Sequence, residues 1–248
     1  MQVSLLVNEW KKLGRLDNYL VQKGFADSRN KAQALIKESL VHVNGKVITK
    51  SSLKLSDTDT VHVKEHKEYV SRAAYKLSGF LEVLDLNLNG RIGLDIGSST
   101  GGFTQVLLEN GVSEVSAVDV GSNQLHVKLR EDRRVHSYEN CDIRAFESVK
   151  DFDIVVSDVA FISLLKILDD VNRLAKKSII LLFKPQFEVG REAKRDKNGV
   201  VLDTKAIEEA MQNFENACVQ KGWSLIKKAP STLTGKDGNL EQCYYYER

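Results

Sequence analysis

The string Leu94-Asp95-Ile96-Gly97-Ser98-Ser99-Thr100-Gly101-Gly102-Phe103-Thr104 is the first place where residue types and spacing point to chemistry. Glycines let a sharp turn bring backbone close to a ligand. The string is neither GxGxxG nor a GxxxxGK motif, so a dinucleotide turn and a phosphate-cradling loop are both disfavoured. An acid directly before the glycines suits a ligand with positive charge, such as a sulfonium with an amino-acid tail. Asp119 closes the next candidate strand, where a carboxylate can accept two ribose hydroxyl hydrogen bonds. Asp142 lies just beyond the third, where it could take the exocyclic amine of adenine. Three acids at three successive strand ends are the layout expected for S-adenosyl-L-methionine.

Positioning three strand ends requires a sheet, and the chain supplies one. Candidate strands are 91–95, 115–119, 135–138, 153–158, 178–184, 223–228 and 242–246. Helical stretches are read at 104–110, 125–130, 164–174 and 206–221. This βαβ rhythm argues for a Rossmann-like doubly wound α/β sheet, mostly parallel, with ligands outside the carboxyl ends of its strands. Tyr244-Tyr245-Tyr246 reads as strand packing.

The first third of the chain has a different character. The full sequence of 248 residues carries 36 Lys+Arg against 34 Asp+Glu, a net charge of +2. Residues 1–76 hold 14 basic and 8 acidic residues, and the remainder 22 and 26. A basic module on a mildly acidic body suggests a polyanion partner. A short helix over Arg15 to Val21 stops at Gly24, and a second, capped by Asp27 or Ser28, runs from Asn30 to Glu38. Asn44-Gly45 between alternating apolar residues signals a type I′ hairpin, with a further strand at 60–63. The Arg15-Leu16-Asp17 start, Ser28-Arg29 with Ala32, and Val43-Asn44-Gly45 resemble the S4-like RNA-binding domain over about residues 14–65. That resemblance implies a small α+β domain docking on structured RNA, with Arg15, Arg29, Lys31 and Lys46 as contacts. The expected organisation is an S4-like domain at 1–63, a charged linker at 64–72 and a methyltransferase domain at 73–248.

The body resembles the FtsJ-like 2′-O-ribose methyltransferases, and the whole chain the TlyA family. The strings that carry this are Tyr69 to Leu77, DIGSSTGGFT, Ser157 to Leu164, Phe183 to Gly190 and Gly238 to Glu241. Ala73-Ala74 stands where family members usually show Gly-Gly. The family methylates cytidine 2′-hydroxyls in ribosomal RNA, in 23S and in some members also 16S, and some members bear a haemolysin label. The resemblance implies a cytoplasmic enzyme acting on ribosomal RNA or ribosomal subunits. It implies S-adenosyl-L-methionine bound by Asp95, Gly97, Ser98, Ser99, Thr100, Gly101, Gly102, Phe103, Asp119 and Asp142. Lys76, Asp158, Lys184 and Glu241 match the family's Lys-Asp-Lys-Glu tetrad. A ribose hydroxyl is a poor nucleophile, and a lysine serves as its base if burial and nearby cations favour the neutral amine. Arg72 and a mobile basic loop with Arg191, Lys194 and Arg195 are further RNA contacts expected from their charge. Arg130, Arg133 and Arg134 read as a weaker basic cluster.

Other classes find less support. The apolar fraction of 42% is enough for a core, which argues against disorder. The longest apolar runs are strand-sized, so neither a membrane span nor a secretory leader is expected. Cys141, Cys218 and Cys243 are scattered and odd in number, and the five histidines lack ligand spacing, so no disulfide framework or metal centre is expected. Two alternatives stay open: a non-catalytic ribosome assembly factor and a membrane-active haemolysin.

Overall fold

The computed structural model describes residues 14–37, 39–64 and 69–248. The chain divides into two compact units, Met1–Glu68 and Tyr69–Arg248. Residues 69–72, expected in a linker, therefore fall in the second unit, where the Val70 N–H donates to Gln105 Oε1 at 2.9 Å.

The first unit packs α1 (Leu16–Gln22) and α2 (Arg29–Lys37) on a sheet of β1 (Val41–Val43), β2 (Lys46–Val47) and β3 (Val61–Val63). The strands run antiparallel in the order β2-β1-β3. Leu16, Leu20, Ala32, Ile36 and Val41 form its dry centre. Asn44 and Gly45 both take positive φ, 52° and 76°, as a type I′ turn requires. Ser28 caps α2 by accepting the Lys31 N–H at 3.3 Å, while Asp27 pairs with the Lys31 ammonium. Glu38, the expected end of α2, lies outside the described residues.

Asp17 is the electrostatic centre of this unit. It is fully buried, and it accepts from Arg15 Nε at 3.0 Å and Nη2 at 2.9 Å, Arg29 Nε at 3.0 Å and Gln33 Nε2 at 2.9 Å. Arg15 above all, then Gln33 and Arg29, hold its carboxyl well below the usual range.

The second unit begins with α3 (Ala73–Leu81), a helix not expected from the sequence. There follow β4 (Ile92–Ile96), α4 (Gly102–Glu109), β5 (Glu114–Val118), α5 (Val127–Arg130), β6 (Val135–Tyr138) and β7 (Phe152–Ser157). Next come α6 (Leu168–Leu174), β8 (Ala175–Phe183), α7 (Pro185–Glu188), α8 (Thr204–Gln220), β9 (Ser224–Pro230) and β10 (Gln242–Glu247). The sheet order is β6-β5-β4-β7-β8-β10-β9. The first five strands in that order are parallel, and β10 runs antiparallel to both neighbours. The order reverses between β4 and β7, which makes their carboxyl ends the switch point. The expected helix 164–174 is broken: a 3₁₀ turn at Leu164–Lys166 precedes α6, with Ile167 between them at φ −118°.

The strands show why the sheet is buried on both faces. On β8, Ile179, Leu181 and Phe183 join one cluster with Phe214, Tyr244 and Tyr246. Ile180 and Leu182 join the other, with Leu77, Phe103 and Leu107. A period of two places successive side chains on opposite faces, so an unbroken apolar run buries both.

Asp17→Asn removes the charge that organises Arg15, Arg29 and Gln33. Because the carboxyl is depressed, its contribution is present above about pH 4 and is lost as the pH falls below that. The variant should lose about 1–3 kcal/mol in the first unit at neutral pH. Hydrogen exchange of the Leu20 and Ile36 amides in the full chain, read against Leu181 as an internal reference, measures it.

Candidate active site

Residues after β4 turn sharply: Gly97 takes φ 78°, Ser99 47° and Gly101 93° before α4 begins. A Cβ on Gly97 would stand 3.0 Å from Val159 Cγ1, and one on Gly101 would stand 2.3 Å from Leu129 Cδ1. Both the conformation and the room therefore require glycine there. Beside this turn, at the carboxyl ends of β4 and β5, lies a cavity of about 300 Å³. Ile96, Gly97, Ser99, Val118, Asp119, Gln124, Cys141, Asp142 and Ile143 line it, and the segment 158–162 closes one side.

The three acids differ in placement. Asp119 faces the cavity; its Oδ2 accepts the Ser99 N–H at 2.8 Å and its Oδ1 the Gly121 N–H at 2.7 Å, which leaves a lone pair on each. Asp142 also borders the cavity, but both its oxygens are on the Arg144 side chain, at 2.9 and 2.5 Å. That guanidinium, together with the Arg144 N–H, holds its carboxyl down to about 2. Asp95 does not line the cavity. It alternates with Leu94 and Ile96 on β4, so its side chain lies on the opposite face, beneath α4. There its Oδ2 accepts the Thr104 Oγ at 2.6 Å and the Thr104 N–H at 2.9 Å. Its Oδ1 is buried with no partner among the described residues. Burial raises the carboxyl to about 7 against the pull of Thr104, and Asp158 and Asp119 add to the rise. Ser98, Thr100, Gly101, Gly102 and Phe103 shape the turn and the start of α4 without lining the cavity.

Lys76, Asp158, Lys184 and Glu241 form two ion pairs. Lys184 Nζ lies 2.6 Å from Asp158 Oδ1, and Lys76 Nζ lies 2.5 Å from Glu241 Oε2. Lys76, Lys184 and Glu241 are all under 10% exposed. The sheet brings them there. Asp158 follows β7 and Lys184 follows β8, adjacent parallel strands in which Ser157 faces Leu181. Gln242 faces Phe183 across the antiparallel pair, so Glu241 enters β10 beside Lys184. Lys76 comes from α3, and Thr232 Oγ1 ties the preceding loop to α3 by donating to Tyr75 O at 3.1 Å. Asp158 also lines the cavity, so the ion pairs and the cavity share a residue.

The basic candidates are less uniform. Arg15 and Arg29 are held on Asp17, Lys31 is 2.9 Å from Asp27, and Lys46 and Arg72 are exposed. Arg191 and Lys194 are exposed, but Arg195 turns inward and donates to the carbonyls of Gly190, Arg191 and Ala193. The loop expected to be mobile carries several bonds of its own. Arg195 bridges Val201, Asp196 accepts the Asn198 and Val200 N–H groups, and Val201 donates to Asn239. Arg130 donates to Leu125 O and Arg134 grips Asp132, so that cluster braces its own turn. Tyr244 and Tyr246 are buried in the core, and the three cysteines are free thiols.

Several residues at the site escaped the sequence reading. Glu139 accepts the N–H groups of Asn123, Gln124 and Leu125 and so holds the loop that brings Gln124 to the cavity. Gln186 Nε2 lies 3.5 Å from Glu241 Oε1. The apolar wall at 159–162 and the helix bearing Lys76 were likewise missed. No local spacing marks any of these, since each acts through backbone or across the fold.

Comparison with known proteins agrees with this architecture. Residues 69–247 match the FtsJ-like methyltransferase family, and residues 14–61 match the S4 domain. The chain is 45% identical to the 23S rRNA (cytidine-2′-O)-methyltransferase TlyA of Campylobacter jejuni, over 92% of this chain and 98% of that protein. It is 38% identical to the 16S/23S rRNA (cytidine-2′-O)-methyltransferase TlyA of Mycobacterium tuberculosis, over 92% and 87%. A solved structure named as a hemolysin, from Streptococcus thermophilus, superposes with a TM-score of 0.71 at 35% identity, over 95% of this chain and 89% of that one.

Asp95 generates a pH signature. Its folded-state pKa, about 7, lies above the ordinary carboxylate value, so the folded state holds a proton the unfolded chain has released. Stability should therefore fall as the pH rises from about 4 to 7, by at most about 4 kcal/mol. Asp95→Asn should abolish that slope. Urea unfolding of both proteins between pH 4.5 and 8 (about one point per half unit) tests it; parallel slopes would refute the assignment.

Proposed function

The chain belongs to the FtsJ-like methyltransferase family, and from that premise we propose that it transfers the methyl group of S-adenosyl-L-methionine to the 2′-hydroxyl of cytidine in ribosomal RNA, 23S or 16S. The observation that carries this reading is that Asp158 belongs both to the cavity wall and to a buried ion pair with Lys184. A methyl-donor site and a proton acceptor are thereby joined at one strand end.

The cavity suits the donor by its chemistry. Asp119 keeps a free lone pair on each oxygen for ribose hydroxyls, and Ile96, Val118 and Ile143 offer apolar walls to a flat base. Asp95 supports the turn from beneath instead of touching the ligand, and Asp142 is engaged by Arg144. When bound, S-adenosyl-L-methionine supplies an electrophilic methyl group on a sulfonium. Lys184 Nζ, as the neutral amine, would take the proton of the 2′-hydroxyl as the hydroxyl oxygen bonds to the methyl carbon and the carbon–sulfur bond breaks to leave S-adenosyl-L-homocysteine. Asp158, 2.6 Å away, stabilises the ammonium so formed. Lys76 and Glu241, paired at 2.5 Å, orient the hydroxyl from the other side. Holding the two reactants in line supplies much of the remaining acceleration.

The first unit supplies affinity. Asp17 fixes the Arg15 and Arg29 guanidiniums, whose remaining N–H groups suit RNA phosphates. Its charge, and the exposed Lys46, suit a partner read by shape and backbone. Ribosomal subunits in the cytoplasm are the partner this reading implies. The described residues contain no helix long and apolar enough to cross a membrane.

The test uses ribosomal subunits from cells lacking the gene, pure protein and methyl-tritiated S-adenosyl-L-methionine. Wild type should label 23S or 16S RNA at cytidine, and Lys184→Ala should reduce the rate by about 100-fold or more. Equal labelling by both proteins would remove Lys184 as the base. No label with RNA binding intact would favour the assembly-factor reading.

A further inference from the structure

One largely buried acid takes no part in the chemistry above. Glu188 closes α7, the short helix that follows Lys184 directly. Its Oε2 accepts the Ser163 hydroxyl at 2.6 Å, and its Oε1 accepts the Leu164 N–H at 2.8 Å. Burial raises its carboxyl above the usual value, and these two bonds oppose the rise. Withdrawing a carboxylate from water is costly unless hydrogen bonds compensate it, and charge-assisted bonds are strong ones.

Those bonds hold the segment 158–164, which lacks regular structure over residues 158–163. Asp158 at its start pairs with Lys184, and residues 159–162 line the cavity. At that start the Asp158 N–H donates to Ile96 O at 3.2 Å; at the far end the anchor is Glu188. Between them Phe161 sits at φ 64° and is 92% exposed. Its ring lies 5.2 Å from that of Phe187, on the same short helix as Glu188. One helix thus holds the far end of the segment through a carboxylate, and that helix starts directly after Lys184.

We propose that Glu188 is a positioning residue of the methyl-transfer site. It locks the cavity wall, and Asp158 with it, to the helix that follows Lys184, so that donor binding and the Lys184–Asp158 geometry are set together. The proposal rests on the methyltransferase reading. A mere brace would lower the melting temperature and leave ligand affinity unchanged. A positioning residue moves affinity and turnover together.

Glu188→Ala, Glu188→Gln and Ser163→Ala are compared with wild type in the full chain. S-adenosyl-L-homocysteine affinity is measured by calorimetry, kcat and KM with ribosomal subunits, and the melting temperature alongside. Glu188→Ala should weaken S-adenosyl-L-homocysteine binding and lower kcat, each about tenfold or more. Glu188→Gln, which can still accept from Leu164 and donate to Ser163 Oγ, should recover most of both. Ser163→Ala, which loses one bond, should fall between. Folded Glu188→Ala with wild-type affinity and kcat overturns the proposal. Should that variant not fold, wild-type affinity and kcat in folded Ser163→Ala overturn it. A wild type that binds S-adenosyl-L-homocysteine but leaves RNA unlabelled refutes the RNA reading alone, and the affinity comparison still decides the role of Glu188.

Discussion

Two lysines and Glu241 are buried, with Asp158 nearly so, at the carboxyl edge of a sheet, and that placement constrains the rest of the second unit. An ammonium taken out of water is tolerable only beside a carboxylate that is itself well placed, and removing either partner of such a pair costs about 3–5 kcal/mol. Lys184 therefore needs Asp158 at 2.6 Å, and Lys76 needs Glu241 at 2.5 Å. The pairing in turn dictates topology. Asp158 and Lys184 can meet because β7 and β8 are parallel neighbours that end at the same edge. Glu241 can join them because β10 enters antiparallel at that same edge. Apolar packing on both faces keeps these strand ends from shifting.

The same edge has to serve a second purpose, since the cavity opens there. A single residue, Asp158, links the two, so the site cannot be divided into an independent binding part and reacting part. The cavity wall at 159–162 and the ion-pair partner of Lys184 are consecutive residues of one segment. The rigidity of that segment comes from neighbours, not from its own hydrogen-bonded structure, and so its anchors matter as much as its side chains.

Much of this was legible in the sequence, and the exceptions share a cause. The strands followed from unbroken apolar runs such as Ile179 to Phe183, and the hairpin from Asn44-Gly45. Lys76, Asp158, Lys184 and Glu241 were named from family motifs, and the fold pairs them. Boundaries moved where a tertiary partner outweighed local pattern. Ser163 and Ile167 break the expected helix, and Val70 joins the second unit through Gln105. Charge composition could not reveal that Arg195 in the basic loop spends its donors on nearby carbonyls. Gln186 and Glu188 lie inside a family string without a role marked for either, and Glu139 carries no signal, since each acts on backbone or on residues far along the chain.

The three acids that led the sequence reading show how identical side chains acquire different physics. Asp119 keeps its charge in an open cavity, with two backbone N–H groups and lone pairs to spare. Asp142 is neutralised by Arg144. Asp95 stands one residue from the cavity-lining Ile96, yet the pleat turns it beneath α4, where burial favours its proton. A carboxyl there can tie the glycine turn to Thr104 without placing a fixed negative charge under the sheet. Burial is the main reason the neutral form is favoured there, and the nearby Asp158 and Asp119 carboxyls add to it. The acid before the glycines is therefore better understood as a support of the turn than as a ligand contact. Of the three, Asp119 alone faces the cavity with lone pairs unengaged, beside the turn that Asp95 holds in shape.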